Sequence, residues 1–318
     1  MENNILTVGL CTTEHVNKYV SNGKVINNKI SIKIDKFGDP DELFRTVINT
    51  EKYDVAELSM SSYFFARSAM SLEYTAIPIF PSRKFRLSDI FVNDSSSIKK
   101  PENLNGKSVL SFPSYYVTAS VWQRGILSEY YDVDISSIKW FASKPERFDI
   151  SYPSKIIVSI DRNMTMDVLS RNVIDCIIGP LKPPDLKKGV VKRIFENPAT
   201  EELQYFKQTG IFPIMHVILT RNSIIKTEPE LVKAIYLMFE ESKEKWIKQL
   251  DELPAYLGGI PFYDLLIDEF FRNFGVDIFE YGYKKNRKTI EKLYDYCRKQ
   301  VNFHNELSIN HIFYVPFD

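Results

Sequence analysis

Apolar and polar positions along the chain separate strands from helices. Ile5-Leu-Thr-Val-Gly-Leu10 is mostly apolar and predicts a buried strand, while Ile30-Ser-Ile-Lys-Ile34 alternates like a second one. Helix and turn are expected between them, from Thr13 to Val25. Asp41-Glu-Leu-Phe-Arg-Thr-Val-Ile48 has helical spacing, with Pro40 near its first turn. Tyr53-Asp-Val-Ala-Glu-Leu-Ser59 predicts a strand that runs into a serine-rich turn, and a helix is expected from Tyr63 to Ala69. Ala76–Phe80 and Ile90–Val92 predict further strands. Strands alternating with helices indicate a parallel α/β organisation.

The pattern then breaks and restarts. Asn93 to Gly106 is polar and turn-rich, a candidate domain boundary. After it, Ser108–Phe112 predicts a strand, Thr118–Glu129 a helix, Ile138–Phe141 a strand, Met166–Arg171 a short helix, and Val173–Ile178 and Val190–Phe195 two more strands. Gly210 to Arg221 is a long apolar stretch. The remainder is helical. Thr227-Glu-Pro-Glu230 is a capping box that opens a helix to about Leu250, and Asp264–Phe274 and Arg287–Val301 predict two more. A strand-rich first half, a second α/β unit and a helical tail imply two lobes. No internal repeat is visible.

Charge narrows the function classes. The 318 residues include 41 basic and 41 acidic side chains, a net charge of zero. That argues against nucleic acid, which selects a positive excess, and weakens the case for an anionic membrane surface. At 44% hydrophobic and 26% charged residues the chain has the composition of a folded protein. No stretch approaches the roughly 18 apolar residues of a membrane span. The first ten residues lack the basic and apolar regions of a secretory signal. Cys11, Cys176 and Cys297 are scattered and odd in number, which fits a reducing compartment. These features lead us to expect a soluble cytoplasmic protein, with no metal site built on cysteine.

In open α/β sheets, ligands bind beyond the carboxyl ends of strands, where helix N-termini offer free N–H groups. Three segments have that layout. Glu57-Leu-Ser-Met-Ser-Ser62 follows a strand, and the hydroxyls of Ser59, Ser61 and Ser62 either cap the next helix or hold a ligand. Phe112-Pro-Ser-Tyr-Tyr-Val-Thr118 joins a strand to a helix, with Ser114, Tyr116 and Thr118 as candidate contacts and helix capping as the equal alternative. Gly179-Pro-Leu-Lys182 brings Lys182 towards the same edge, although a solvated lysine is the plainer reading. Arg83 and Arg86 in Pro81-Ser-Arg-Lys-Phe-Arg86 are candidate carboxylate forks, or a surface basic cluster. His216 stands in the apolar run Ile211–Leu219, where a histidine is more often a satisfied core residue, and His15, His304 and His311 lack helpful neighbours. There is no HExxH, P-loop, GxGxxG or GxSxG, so the common motif-bearing enzyme classes lose support.

Taken in order, Ala56-Glu-Leu-Ser-Met-Ser-Ser62, Ile77-Pro-Ile-Phe-Pro-Ser-Arg-Lys-Phe-Arg86, Thr118-Ala-Ser-Val-Trp-Gln-Arg-Gly125, Thr209-Gly-Ile-Phe-Pro-Ile-Met-His216 and Asn286-Arg-Lys-Thr289 resemble the 4,5-dihydroxyphthalate decarboxylase family over nearly the whole chain. That family is similar in fold to type II periplasmic solute-binding proteins. The resemblance implies an α/β, two-lobed fold with two hinge crossings and a ligand cleft between the lobes. Lobe one is expected over 1–92 and 213–318, and lobe two over 93–212. One departure stands out: where the family pattern places a histidine after the second arginine of the PSRxFR run, this chain has Leu87. An arginine expected after Ile178 is also absent, unless Lys182 replaces it.

The resemblance implies a cofactor-independent decarboxylase of a hydroxylated aromatic acid, with no metal and a small aromatic carboxylate as ligand; self-association is left open. The alternative is a cytoplasmic binder of the same fold without turnover; the Leu87 departure favours that binder or a changed substrate. For the enzyme, Arg83 and Arg86 are the expected carboxylate anchors, helped by Thr118. Ser59 and Glu57 are expected to partner the phenol. His216 is the expected acid, because histidine exchanges protons near neutral pH.

Overall fold

The computed structural model describes residues 4–12, 20, 25–26, 30–165, 167–252, 262–303, 307–309 and 312–315. The segment expected to be helix and turn from Thr13 lies almost wholly outside them, as do Met166, His15, His304 and His311.

Strands β1 (Asn4–Cys11), β2 (Val25–Ile26), β3 (Ile30–Phe37), β4 (Val55–Ser59) and β5 (Tyr74–Ile77) open the chain. They are followed by β6 (Ile90–Asn93), β7 (Ser108–Ser111), β8 (Lys139–Ala142), β9 (Val158–Ile160), β10 (Cys176–Ile178) and β11 (Val191–Arg193), and then by β12 (His216–Arg221). They make two six-stranded sheets, in the orders β2-β3-β1-β4-β12-β5 and β11-β6-β10-β7-β8-β9. β1 lies parallel to β3 and β4, which requires crossovers, and it buries Leu6, Val8 and Leu10. β12 inserts antiparallel between β4 and β5 as the chain comes back from the second sheet. The result is a two-lobed α/β fold.

One boundary differs from expectation. Ile90–Val92, expected to end lobe one, pairs instead in the second sheet, with Ile90 opposite Ile178 and Val92 opposite Cys176. Hydrogen-bonded neighbours decide a strand's sheet, and the apolar run carries no sign of which neighbours it will meet.

Helix α1 (Pro40–Thr50) starts where Asp39 caps it, accepting from Asp41 N–H at 2.9 Å, and buries Leu43, Phe44, Val47 and Ile48 on one face. Helices α2 (Met60–Ala69) and α3 (Thr118–Tyr130) each follow a strand and are buried along almost their whole length. They are followed by α4 (Pro198–Thr209), α5 (Asn222–Thr227), α6 (Pro229–Glu252), α7 (Tyr263–Phe274) and α8 (Tyr283–Gln300). Helix α8 packs on both α2 and α3, so the helical tail ties the two lobes together. At its contact with α3 there is no room for a side chain on Gly125: a Cβ there would stand 2.3 Å from the Tyr296 ring.

The main core runs through both lobes. A smaller cluster of Phe91, Leu110, Val168, Leu169 and Ile177 covers the other face of the second sheet. Alternation along β6, β7 and β10 divides the two: Val92, Val109 and Cys176 face the main core, and their neighbours face the smaller one.

Candidate active site

The carboxyl ends of β1 and β4 stop at one edge of the first sheet, and β12 begins there. On β4, Glu57 and Ser59 share a face because they are two residues apart. Register sets His216 opposite Ser59. Glu57 is therefore the diagonal neighbour of His216, and its Oε1 lies 2.6 Å from His216 Nδ1. The other oxygen, Oε2, accepts the backbone N–H of Cys11 at 2.9 Å. Glu57 is fully buried, while the His216 side chain keeps 17% of its surface exposed. The ring of Phe44 meets the imidazole edge to face, with centroids 5.0 Å apart. A buried carboxylate with a histidine partner fixes the ring: a proton on Nδ1 faces Glu57 and leaves Nε2 for chemistry.

His216 lines a cavity of about 400 Å³ between the lobes, with Asp41, Phe44 and Ser59 on one side and Thr118, Lys144 and Arg147 on the other. That volume lies within the range of small-molecule sites, about 300–1,000 Å³. The N-termini of α1, α2 and α3 point towards it. Ser59 and Thr118, 59 residues apart, meet at 2.7 Å across the cleft floor. Thr118 Oγ1 also accepts Ser61 N–H at 3.1 Å, so this pair of helix starts is stitched together by side chains.

Two of the cations at the cleft come from a loop that sequence reasoning passed over. Lys144 and Arg147 follow β8, and both reach Asp41 on α1. Arg147 Nη2 and Nε stand 2.7 and 3.0 Å from Asp41 Oδ1, and Lys144 Nζ stands 3.1 Å from Oδ2. Arg147 Nη1 donates to Ser62 Oγ at 2.9 Å, and the guanidinium lies 5.2 Å over the Phe44 ring. One aromatic ring thus separates this arginine from His216. Burial would raise the Asp41 pKa, but Arg147, Arg45 and Lys144 outweigh it and hold the group down to about 2. A basic loop directly beyond the carboxyl end of a strand was the available signal.

The other candidates divide. Arg86 lines the cavity, held by Asp89 Oδ2 at 2.8 Å. Arg83 lies outside it. Its Nη2 donates to Asn286 Oδ1 at 2.5 Å and Glu280 O at 2.9 Å, and its guanidinium lies over Phe80. The anchor role expected for Arg83 is replaced by a structural one, joining the PSRxFR and NRKT runs. Ser62 meets the cleft through Arg147. Ser114 and Tyr116 are buried, and the Tyr116 hydroxyl donates to the carbonyls of Ser151 and Gln300 at 3.3 Å rather than to the cavity. Lys182 is exposed and does not line the cavity. In the TAxVWxRG run only Thr118 and Ala119 reach the cleft. Trp122 Nε1 donates to Ile214 O at 2.9 Å, and Arg124 to Gln300 Oε1 at 2.8 Å, so the rest of that motif is architecture. A cavity of about 460 Å³ behind α3 has Arg124 in its wall, but this guanidinium is already bonded to Gln300, Ser111 and Tyr115.

Cys11 Sγ, a Glu57 oxygen and a His216 nitrogen lie within 4.8 Å of one another, donor types that suit a zinc-class cation. The 2.6 Å between Glu57 and His216 is a hydrogen-bond length, whereas two ligands on a tetrahedral zinc stand about 3.3 Å apart. Burial and the adjacent Glu57 push the Cys11 thiol up, away from the thiolate a metal needs.

No protein-family model matches the chain. Among solved structures it is similar to a periplasmic sulfonate-binding protein, SsuA, from Methylobacillus flagellatus, with TM-score 0.57 and 12% identity over 99% of this chain and 93% of that one. It is also similar to a Candida albicans gene product described as exhibiting the generic periplasmic binding protein fold, with TM-score 0.53 and 10% identity over 96% and 99%. The fold is that of the periplasmic binding proteins. Among curated proteins, a 4,5-dihydroxyphthalate decarboxylase from Comamonas testosteroni is 32% identical over 264 residues, 80% of each chain. One of the same name from Pseudomonas putida is 29% identical over 186 residues, 55% of this chain and 72% of the relative. With that identity sustained over four-fifths of both chains, the protein belongs to the 4,5-dihydroxyphthalate decarboxylase family.

Proposed function

We propose that this protein decarboxylates a hydroxylated aromatic dicarboxylate of the 4,5-dihydroxyphthalate type without a cofactor. The observation that carries the reading is the Glu57–His216 dyad opening onto a cleft whose far wall is cationic. Loss of CO₂ from an arene leaves an aryl carbanion unless the ring carbon is protonated first. A hydroxyl para to the departing carboxylate pushes electron density onto that carbon and makes it basic. His216, protonated and held through Nδ1 by Glu57, delivers the Nε2 proton to the ring carbon. The C–C bond then breaks, its electron pair restores the aromatic ring, and CO₂ leaves. One proton is consumed per turnover, and the imidazole regains it from solvent.

Lys144 and Arg147 hold the carboxylate that stays, with Arg86 and Thr118 alongside. Anchoring the departing carboxylate as strongly would stabilise the ground state and slow its loss. Ser59 is placed to meet a phenol. Leu87 is buried, so the histidine that the family pattern places there contributes nothing here, and proton delivery rests on His216. Incubation with 4,5-dihydroxyphthalate should release CO₂ and 3,4-dihydroxybenzoate in equal amounts. Saturable binding without CO₂ would select the alternative, a binder of aromatic carboxylates on the same fold.

A further inference from the structure

Asp41 carries more positive charge than one carboxylate needs. Arg45 Nε reaches its Oδ2 at 3.0 Å from the next turn of α1, and Lys144 and Arg147 reach it from the other lobe. All of this happens in the wall of the cleft, beside His216 and Phe44. The Arg147 side chain is 7% exposed and that of Asp41 12%, so the pair is largely shielded from solvent. An arginine so placed forms strong, directional bonds to a carboxylate. Here the carboxylate is supplied by the protein.

We propose that Asp41 is an internal stand-in for a substrate carboxylate, and that a dicarboxylate enters by displacing it from Arg147 and Lys144. The inference rests on the reading above, in which those two cations anchor the ligand. Three features support it. The exchange replaces anion with anion, so Arg147 is never left buried without a partner. Arg45 stays within reach on Asp41's own helix, so the displaced carboxylate keeps a cation. The lobe-to-lobe ion pair becomes a ligand-to-lobe pair, and Asp41 thereby sets how strong an anion must be to occupy the cleft. A neutral aromatic ligand has nothing to offer Arg147 in return for Asp41, and the site discriminates against it.

The test is calorimetric titration of phthalate, which has both carboxylates but no hydroxyl to drive turnover. Asp41→Asn should tighten its dissociation constant by about tenfold, because the internal competitor is gone. Arg147→Gln should weaken it by about tenfold or more, and Asp41→Asn in that background should bring a smaller gain, since only Lys144 is then freed. An unchanged or weaker constant in Asp41→Asn, with Arg147→Gln still impaired, would sink the exchange and leave the anchor standing. Wild-type affinity in Arg147→Gln would remove the anchor itself. Independently of any variant, a crystal structure of the wild-type protein with phthalate should show its carboxylate on Arg147 and Asp41 turned to Arg45. An intact Asp41–Arg147 pair beside bound phthalate would overturn the proposal.

Discussion

At the scale of single residues, the proposed catalysis comes down to one proton position. Glu57 has no exposure, and its two oxygens are taken by Cys11 N–H and His216 Nδ1. Replacing His216 by Gln keeps a polar side chain but removes the exchangeable proton. Turnover of 4,5-dihydroxyphthalate should fall by roughly 10²–10⁴-fold with a small change in KM, the range that general acid–base help supplies. Glu57→Gln keeps the shape and loses the charge, and kcat should fall in the same direction. Steady-state CO₂ release measures both, and near-normal kcat in His216→Gln would end the assignment. Several of these residues were legible in the chain itself. Ser59 and Thr118 sit at a strand end and a helix start, where α/β proteins place ligands, Glu57 and His216 came in through the family resemblance, and the structure gathers all four. Arg83 shows the limit of that reasoning. Its neighbours in sequence resemble an anion site, yet its Nη2 is taken by Asn286, 203 residues away.

At the scale of elements, helix starts and close contacts do the positioning. Helix α3 brings Thr118 to the cleft at one end, while its middle is pressed against α8. Gly125 is the point of closest approach, and a methyl group there would enter the Tyr296 ring. Gly125→Ala should destabilise the protein by about 1–3 kcal/mol, the usual cost of overpacking a core, despite the better helix propensity of alanine. The urea midpoint reports it, and an unchanged or raised midpoint would show that Tyr296 yields freely. That glycine was visible in the sequence only as part of a motif. The reason for it is an aromatic ring 171 positions further along, which no helical periodicity reveals.

At the scale of the whole molecule, the lobes are held across the cleft by Asp41 with Lys144 and Arg147, besides the shared core and α8. Asp41 has its pKa lowered to about 2 from an ordinary 3.8. A depressed carboxylate contributes stability above its unfolded pKa and loses it as pH falls through the folded value. The contribution is therefore complete above about pH 4 and disappears towards pH 2. Allowing for solvent screening of a partly exposed network, it is on the order of 1 kcal/mol. Asp41→Asn should flatten this part of the acid-unfolding profile; an unchanged profile would show that the network contributes nothing to stability. The amino-acid sequence by itself determined the α/β class and most strands and helices, because these follow from local periodicity and from turns; Glu57 and His216 stood out only through the family resemblance. Only the tertiary structure decided that Ile90–Asn93 joins the second sheet, that Arg83 lies outside the cleft, and that Lys144 and Arg147 join Arg86 in its wall. Arg147 meets Asp41 across 106 residues, and such a pairing depends on how the two sheets come to face each other. Local pattern encodes which face of an element is buried; it carries no record of which distant charge that element will meet.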